Sequence, residues 1–357
     1  MAIKGRGTDS NPHNRFAPRI SVIDSDAQFA PDTQSNCHDG PTRNPATTVR
    51  AETARSLISY NDSPDIAFER SINPYRGCEH GCIYCFARPT HAYLDLSPGL
   101  DFETQLIAKT NAAQVLRDEL AKRSYRCAPI VIGSNTDCYQ PIERECRITR
   151  QILDVLWEHR HPCAIITKSH SICDDLPLLA QMAKERLLKV FITVTTLDDE
   201  LKRKLEPRAA SGHARISTIA QLADAGIPVG VLASPMIPAL NDNELETILK
   251  EAKHAGACSA GYILLRLPLE IDELFQAWLQ QHYPLRAEHV MSLIRQCRGG
   301  KNYDAQFHTR MRGTGVFADL LEARFNRAVK SLHLNETVPA LRTDLFRVPT
   351  PQLILDW

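Results

Sequence analysis

The stretch NPYRGCEHGCIYCFARP, residues 73–89, places Cys78, Cys82 and Cys85 at the spacing C-x3-C-x2-C. Thiolates are strong ligands for soft metals, and gaps of two or three residues let neighbouring sulfurs reach a common centre. The stretch therefore predicts a metal centre that is held by three thiolates of a single loop.

Two kinds of metal centre suit three neighbouring cysteines. His80 lies inside the loop and His91 follows it, so a Cys3His zinc site is one alternative. A [4Fe–4S] cluster usually takes one thiolate per iron, so three cysteines leave one iron open to bind a small molecule. Disulfide bonds are disfavoured, because the eleven cysteines are an odd number and the first residues contain no apolar secretory signal.

The composition is that of an ordinary globular chain. Of 357 residues, 43% are hydrophobic and 24% are charged, and the formal net charge is zero. Overall charge therefore gives no indication of nucleic-acid or membrane binding, and no run of apolar residues is long enough to predict a membrane span. Together with reduced thiols, these properties predict a cytoplasmic protein without membrane contact.

After the cysteine loop, apolar runs alternate with amphipathic helical patterns. The predicted strands cover residues 128–134, 162–169, 187–196, 227–238 and 260–267. The predicted helices cover residues 101–123, 145–160, 176–186, 215–226, 243–256 and 271–283. About six βα units and a parallel sheet follow from this alternation. Both a partial barrel and an open doubly wound sheet are consistent with it, and either places the active site at the carboxyl ends of the strands.

The remaining chain divides into two flanking parts. Residues 1–60 are polar and proline-rich and predict an irregular or partly disordered arm, whereas residues 61–282 form the predicted core. Residues 283–357 form a less regular extension with one predicted helix at 315–334. Within it, residues 286–330 hold nine basic side chains against four acidic ones, which predicts either a solvated face or a phosphate-contacting surface. The nine are Arg286, Arg295, Arg298, Lys301, Arg310, Arg312, Arg324, Arg327 and Lys330.

The cysteine spacing, with the aromatic Tyr84 before the last cysteine and βα units after it, resembles the radical S-adenosylmethionine (radical SAM) family. The resemblance implies a partial (β/α)6 TIM-like barrel with an irregular N-terminal arm and an α-rich C-terminal extension. It also implies that Cys78, Cys82 and Cys85 ligate a [4Fe–4S] cluster whose open iron chelates S-adenosylmethionine. In that family one electron, from a donor such as flavodoxin or ferredoxin, cleaves S-adenosylmethionine and yields a 5′-deoxyadenosyl radical that abstracts hydrogen from the substrate.

Further stretches resemble the branch of spore photoproduct lyase and the DNA-repair-photolyase-like proteins. This resemblance implies that Thr136 and Asp137 in GSNTDCYQPIE, Lys168 in IITKSH and Thr195 in FITVTT contact S-adenosylmethionine, together with Tyr84. Helix capping or a turn is the alternative for the first two residues, and an ordinary surface lysine is the alternative for the third. A shift of two residues would exchange Thr195 for Thr193.

The chain departs from the lyase pattern at Ser134, where the lyase has a cysteine that returns a hydrogen atom to the product radical. An O–H bond is too strong for that task, which leaves Cys138 as the candidate hydrogen donor in this sequence. The implied substrate is DNA or RNA, with a peptide or a small metabolite as alternatives. A different function also fits the residues: a non-enzymatic Cys3His zinc module whose basic C-terminal region binds nucleic acid.

Overall fold

The computed structural model describes residues 3–16, 46–336, 338 and 340–349. Its strands are β1 (Thr48–Glu52), β2 (Ser59–Tyr60), β3 (Arg70–Ile72), β4 (Tyr75–Arg76), β5 (Gln105–Lys109), β6 (Ile130–Ile132), β7 (Cys163–Thr167), β8 (Leu188–Thr193), β9 (Val229–Met236) and β10 (Ser259–Leu264). Its α-helices are α1 (Asp101–Thr104), α2 (Ala112–Leu120), α3 (Glu143–Cys146), α4 (Ile148–Glu158), α5 (Leu176–Lys184), α6 (Asp199–Leu205), α7 (Gly212–Asp224), α8 (Leu245–His254), α9 (Ile271–His282), α10 (Pro284–Gln296) and α11 (Val316–Ser331).

The larger sheet has seven strands in the order β10-β9-β8-β7-β6-β3-β2. Its six core strands, β3 and β6 to β10, are parallel and adjacent in chain order, and β2 adds an antiparallel edge to β3. A doubly wound sheet would reverse its strand order at one point, and this sheet does not. The implied partial (β/α)6 barrel is therefore confirmed, and the doubly wound alternative is wrong.

The five predicted strands after the cysteine loop all form, because their apolar side chains are buried on both faces. β6, for example, consists of three buried residues, and most of β8 and β9 is buried as well. The helices between them turn one apolar side inward, as α4 does with Ile148, Ile152 and Leu156. Gly226 and Gly256 follow α7 and α8 with positive φ angles of 75° and 97°, which suits glycine at a helix end.

The predicted helix over residues 101–123 is wrong in its middle. The segment contains α1, strand β5 and α2, because Leu106 and Ala108 alternate with half-buried neighbours and fill the period of a strand. β5 lies between β1, its parallel partner, and β4, its antiparallel partner, in a second sheet of three strands. Sequence periodicity did not predict this small sheet, whose other two strands come from distant segments.

The arm predicted to be irregular contains two strands, β1 and β2, within residues 46–60. Residues 3–16 are bound to the core: the Asn14 side chain donates to Ala92 O at 3.0 Å, and Arg6 Nη1 donates to Glu103 O at 2.9 Å. Residues 17–45 lie outside the described part of the chain. Hydrogen bonds to distant segments, which composition does not reveal, order this polar stretch where it is described.

The C-terminal extension is α-rich, as implied, but its described part contains two helices instead of the single predicted one. The additional helix α10 begins at Pro284, a favourable first position, and buries Ala287, Val290, Met291 and Ile294. Arg298, which is only 3% exposed, follows it and donates to the carbonyls of Leu265 at 2.7 Å and Arg310 at 2.8 Å. These bonds fix the extension to the exit of β10. Within the described residues, no helix combines the length and apolarity that crossing a membrane requires.

Replacing Arg298 with methionine is expected to lower the free energy of unfolding by about 2–4 kcal/mol, because buried carbonyls lose a charged donor. Urea unfolding of the purified protein measures this change. Arg295→Met is the matched control, since Arg295 forms a surface ion pair with Glu288 and its loss should cost less than about 1 kcal/mol. Equal effects of the two substitutions would contradict the structural role of Arg298.

Candidate active site

The cysteine loop follows β4 and is held at both ends by other segments. Cys78 N donates to Phe102 O at 2.9 Å, and Ile83 N donates to Leu205 O at 3.1 Å. The backbone N–H of Arg208, three residues after Leu205, donates a hydrogen bond to His80 O in the loop. Because Leu205 ends α6, which follows β8, the loop lies at the carboxyl ends of the barrel strands. This is the edge where parallel α/β folds bind their ligands.

A fully buried arginine lies behind the loop. Arg88 donates to Cys82 O and Gly99 O at 2.8 Å each and pairs with the equally buried carboxylate of Glu103. The other oxygen of that carboxylate accepts a hydrogen bond from Gly7 N at 2.9 Å. The N-terminal segment, the loop and α1 are therefore joined through one buried ion pair.

Glycine is required where these segments meet. Gly81 has a φ of 67°, and a Cβ atom there would come within 2.7 Å of the Glu103 carboxylate. A Cβ atom on Gly7 would come within 1.8 Å of Gly81 O, which is far below any permitted contact. The N-terminal segment thus lies directly on the backbone of the cysteine loop.

The three thiols are close enough to influence one another electrostatically, and Cys78 and Cys82 are buried whereas Cys85 is half-buried. Burial raises the pKa of Cys82 to about 12, with a further contribution from the negative charge of Glu206, while Lys168 and Arg215 lower it. Burial also raises the pKa of Cys78 and of Cys85, and the neighbouring thiols add to the shift of Cys78. Such thiols stay protonated until a metal takes the place of their protons, and the charge of the metal then offsets the cost of burial.

Glu206, which follows α6, is the centre of a buried polar cluster beside Cys82. Its carboxylate accepts hydrogen bonds from the hydroxyls of Tyr84 and Thr195, the latter at 2.8 Å, and pairs with Arg215. Lys168 Nζ lies 3.9 Å from the same carboxylate and 5.9 Å from the centre of the Tyr84 ring. The cluster therefore gathers three of the residues predicted to bind S-adenosylmethionine.

The Glu206–Arg215 pair has no solvent to screen it. Burial opposes the charged carboxylate, but the charges of Arg215 and Lys168 outweigh it and lower the pKa of Glu206 to about 2. Arg215 also donates to Thr193 O at 3.1 Å and to Ala210 O at 3.0 Å, so its guanidinium links β8 to the loop before α7. Both charges are satisfied together, and removing either one leaves its partner buried and unpaired.

Asp137 joins the cysteine loop to the exits of two strands. Its carboxylate accepts from the Thr167 hydroxyl at 2.6 Å and from Lys168 N at 2.8 Å, and its Oδ2 lies 3.4 Å from Nδ1 of His80. Burial opposes its charge, but His80 and these donors lower the pKa of Asp137 far below its usual range. The residue positions the backbone of Lys168 through a direct bond.

Two further predicted residues face the protein interior. The Thr136 hydroxyl donates to Tyr75 O at 2.8 Å, a bond to a distant segment that is neither a helix cap nor a local turn. Asp137 does stabilise a local turn, because its carboxylate accepts a hydrogen bond from Tyr139 N at 2.9 Å. Cys138 is fully buried in the main core, with its Sγ 3.9 Å from Ile166 O. Ser134 is half-buried. The described conformation therefore gives the thiol of Cys138 no exposed surface from which to reach a substrate.

One ring nitrogen of each histidine considered for a Cys3His zinc site faces another group, and Nδ1 of His91 is buried without a hydrogen-bond partner. His80 Nδ1 faces Asp137, and His91 Nε2 lies 3.0 Å from Gln105 O. Among the described residues, no three His, Cys, Asp or Glu side chains are grouped as ligands of one metal ion. Three thiols beside a lysine are a donor set that suits a thiolate-bound iron–sulfur cluster with a charged ligand next to it.

Comparison with known proteins identifies the family. Residues 72–252, which include the cysteine loop and most of the barrel, match the model of the radical SAM superfamily. The chain belongs to the radical SAM superfamily. It is therefore an enzyme, and its family membership implies a [4Fe–4S] cluster and S-adenosylmethionine as cofactors. The alternative of a non-enzymatic zinc module is wrong.

Relatives of this radical SAM enzyme occur in bacteria and archaea. An uncharacterized protein of Mycobacterium tuberculosis is 36% identical over 232 residues, which cover 64% of this chain and 68% of that protein. An uncharacterized protein of Methanocaldococcus jannaschii is 29% identical over 213 residues, covering 60% and 76% of the two chains. Each similarity thus covers three fifths or more of this chain.

The fold is also that of spore photoproduct lyase. The structure of that lyase with a dinucleoside spore photoproduct aligns with a TM-score of 0.59 at 15% identity, covering 84% of this chain and 85% of the lyase. A variant of the lyase with bound AdoMet aligns with the same TM-score and the same coverage. The shared fold thus extends over most of both chains.

Sequence reasoning missed the residues that assemble the site. Glu206 and Arg215 lie nine positions apart, and only their burial shows that they pair. The sequence likewise gave no indication that Arg88 and Glu103 form a buried pair. In the sequence Glu206 lies in LEPRAAS, and no spacing or periodicity in that stretch assigns it a role.

The basic stretch of the extension is largely neutralised within the protein. Arg310 pairs with Asp65, Arg312 with Glu322, and Arg295 with Glu288. Arg324 pairs with Asp242 and Glu246, and Arg298 binds backbone carbonyls. At least five of the nine basic residues are thus engaged, so the local charge excess overstates the positive surface.

Glu206→Gln is expected to destabilise the protein by about 3 kcal/mol, because Arg215 keeps its buried charge without a counterion. Urea unfolding of the metal-free protein measures the loss. Glu200→Gln is the matched control, since Glu200 of α6 pairs with Lys204 in a largely exposed position and should change stability by less than about 0.5 kcal/mol. A Glu206 variant as stable as this control would contradict the role of the cluster.

Proposed function

We propose that this enzyme binds its [4Fe–4S] cluster through Cys78, Cys82 and Cys85 and cleaves S-adenosylmethionine reductively to act on a nucleic-acid substrate. The observation that carries the proposal is the buried contact between the cysteine loop and the Glu206 cluster at the carboxyl ends of the strands. When bound, the two cofactors supply a 5′-deoxyadenosyl radical that abstracts hydrogen. The surrounding residues hold these groups in place and exclude water.

Lys168 is the residue proposed to receive the carboxylate of S-adenosylmethionine. Its ammonium group is partly exposed and lies beside Cys82 and Glu206, so an incoming carboxylate meets a cation positioned next to the cluster site. Tyr84 and Thr195 line the same place. Asp137 supports Lys168 from behind by fixing its backbone, and Thr136 acts through the turn that carries Asp137.

The proposed substrate class rests on the fold and on the chemistry of the chain. Spore photoproduct lyase, which shares the fold, has been solved with a dinucleoside spore photoproduct, a fragment of nucleic acid. Ser134 and the buried Cys138 separate this enzyme from the lyase reaction, so a different hydrogen-transfer step on DNA or RNA is proposed. A small flavodoxin- or ferredoxin-like protein is proposed as the electron donor.

A reducing compartment such as the cytoplasm is the proposed site of action. The ten cysteines within the described residues are all free thiols, and three of them are the proposed cluster ligands. An oxidising compartment would convert exposed thiols to disulfides and compete with cluster assembly.

Cluster binding is tested by replacing Cys78, Cys82 and Cys85 together with alanine. The wild-type protein, purified without oxygen, is expected to hold about four irons and equivalent sulfide per chain and to form 5′-deoxyadenosine and methionine with dithionite. The triple variant should lose both iron and cleavage, whereas Cys173→Ala, a half-buried cysteine outside the loop, should retain them. Zinc without sulfide in the wild type would refute the proposal.

Lys168→Met is expected to weaken S-adenosylmethionine binding at least about tenfold while iron content stays at the wild-type level, because the ligand's carboxylate loses its partner whereas Glu206 keeps Arg215 and the three cysteines are unchanged. Equilibrium dialysis with labelled S-adenosylmethionine measures the affinity. Lys189→Met, on β8, is the control and should bind normally. Unchanged affinity in the Lys168 variant would exclude this residue as the carboxylate ligand.

A further inference from the structure

Arg266 stands where the last barrel strand leaves the sheet, beside the cysteine loop. Its guanidinium carbon lies 5.6 Å from the ring centre of Phe86 and 6.0 Å from that of Tyr303. Phe86 follows the proposed cluster ligand Cys85 directly, and 47% of its surface is exposed. The guanidinium therefore lies between the cysteine loop and the C-terminal extension, next to an aromatic ring that faces solvent.

The donors of Arg266 are incompletely used. Nη1 faces the sulfur of Met311 at 3.5 Å and Nη2 faces the Tyr303 hydroxyl at 3.3 Å, and both acceptors are uncharged. Nε is buried and has no hydrogen-bond partner. Within the described part of the chain no carboxylate pairs with this guanidinium, in contrast to the neighbouring Arg310, which pairs with Asp65. A guanidinium carries five N–H donors, so Arg266 retains the capacity to bind an anion.

The site around Arg266 is built rigidly. Leu264 N donates to Met311 O at 2.9 Å, and Arg298 donates to Leu265 O at 2.7 Å, so the strand exit and the extension hold each other. The second cation also strengthens the positive potential: burial and the nearby charge of Arg266 lower the pKa of Arg298. The guanidiniums of Arg266 and Arg298 make this region positive, and Nε of Arg266 has no hydrogen-bond partner. The site is therefore suited to bind a negative charge.

We propose that Arg266 binds a backbone phosphate of the nucleic-acid substrate while Phe86 stacks on an adjacent base. This inference rests on the proposed function and names the place where the substrate binds. A guanidinium matches the oxygens of a phosphate in a two-pronged contact, and an exposed aromatic ring beside it is the combination that binds single-stranded nucleic acid. Because Phe86 follows Cys85, a nucleotide held here lies next to the proposed cofactor site.

The test measures binding of a fluorescent single-stranded oligonucleotide of about eight nucleotides to the holoenzyme with S-adenosylmethionine present, at several salt concentrations. Arg266→Gln is expected to weaken binding about tenfold and to reduce the dependence of log affinity on log salt by about one phosphate contact. Phe86→Leu should weaken binding by a similar factor with an unchanged salt dependence, since stacking releases no counterions. Arg266→Lys should keep the salt dependence and lose part of the affinity.

Arg295→Gln removes one positive charge from the C-terminal extension, where Arg295 pairs with Glu288, and is the matched control. Binding that falls equally in the Arg266 and Arg295 variants, or in neither, would overturn the assignment. So would a wild-type holoenzyme that cleaves S-adenosylmethionine but binds no oligonucleotide, or an Arg266 site that instead takes the carboxylate of a peptide. Iron content and S-adenosylmethionine cleavage in the wild type report separately on the proposed function.

Discussion

The buried ion pair between the Glu206 carboxylate and Arg215 is the interaction on which the site depends. The carboxylate is fully buried, and it connects four elements that are distant in sequence: the cysteine loop through Tyr84, the exit of β8 through Thr195, the exit of β7 through Lys168, and α7 through Arg215. A buried ion pair contributes little net stability, but it fixes the relative positions of its partners because an unpaired charge would be costly. The geometry of the loop beside the strand exits follows from that constraint.

Sequence patterns predicted the parts of this fold that repeat. Apolar runs marked the five strands after the loop, and helical spacing marked the helices between them, because buried parallel strands and amphipathic helices leave a local signature. The small sheet of β1, β4 and β5 was missed, since its strands are short and come from separate segments. β5 was predicted as helix because the longer stretch around it, residues 101–123, is amphipathic at helical spacing, which hid the strand alternation of five residues.

The parts of the site that lie close together in the sequence could be predicted, whereas the parts that depend on contacts between distant residues could not. Three cysteines within eight residues predict a metal centre from the sequence alone. The resemblance to radical SAM enzymes then predicted that Tyr84, Lys168 and Thr195 lie near them. The Glu206–Arg215 and Arg88–Glu103 pairs were not predictable, because an acid and a base in a sequence are usually solvated, and only burial turns them into ligands of one another. The engagement of the basic extension depended in the same way on partners such as Asp65, far away in the chain.

The contact of Gly7 with the backbone at Gly81 carries a consequence for oxygen. Reduced iron–sulfur clusters are destroyed when dioxygen reaches them, and here the N-terminal segment covers one side of the loop without any side chain between the two backbones. A side chain at position 7 would clash with Gly81 O and force the N-terminal segment away from the loop. The first described residues thus shield one side of the loop that carries the three cysteines.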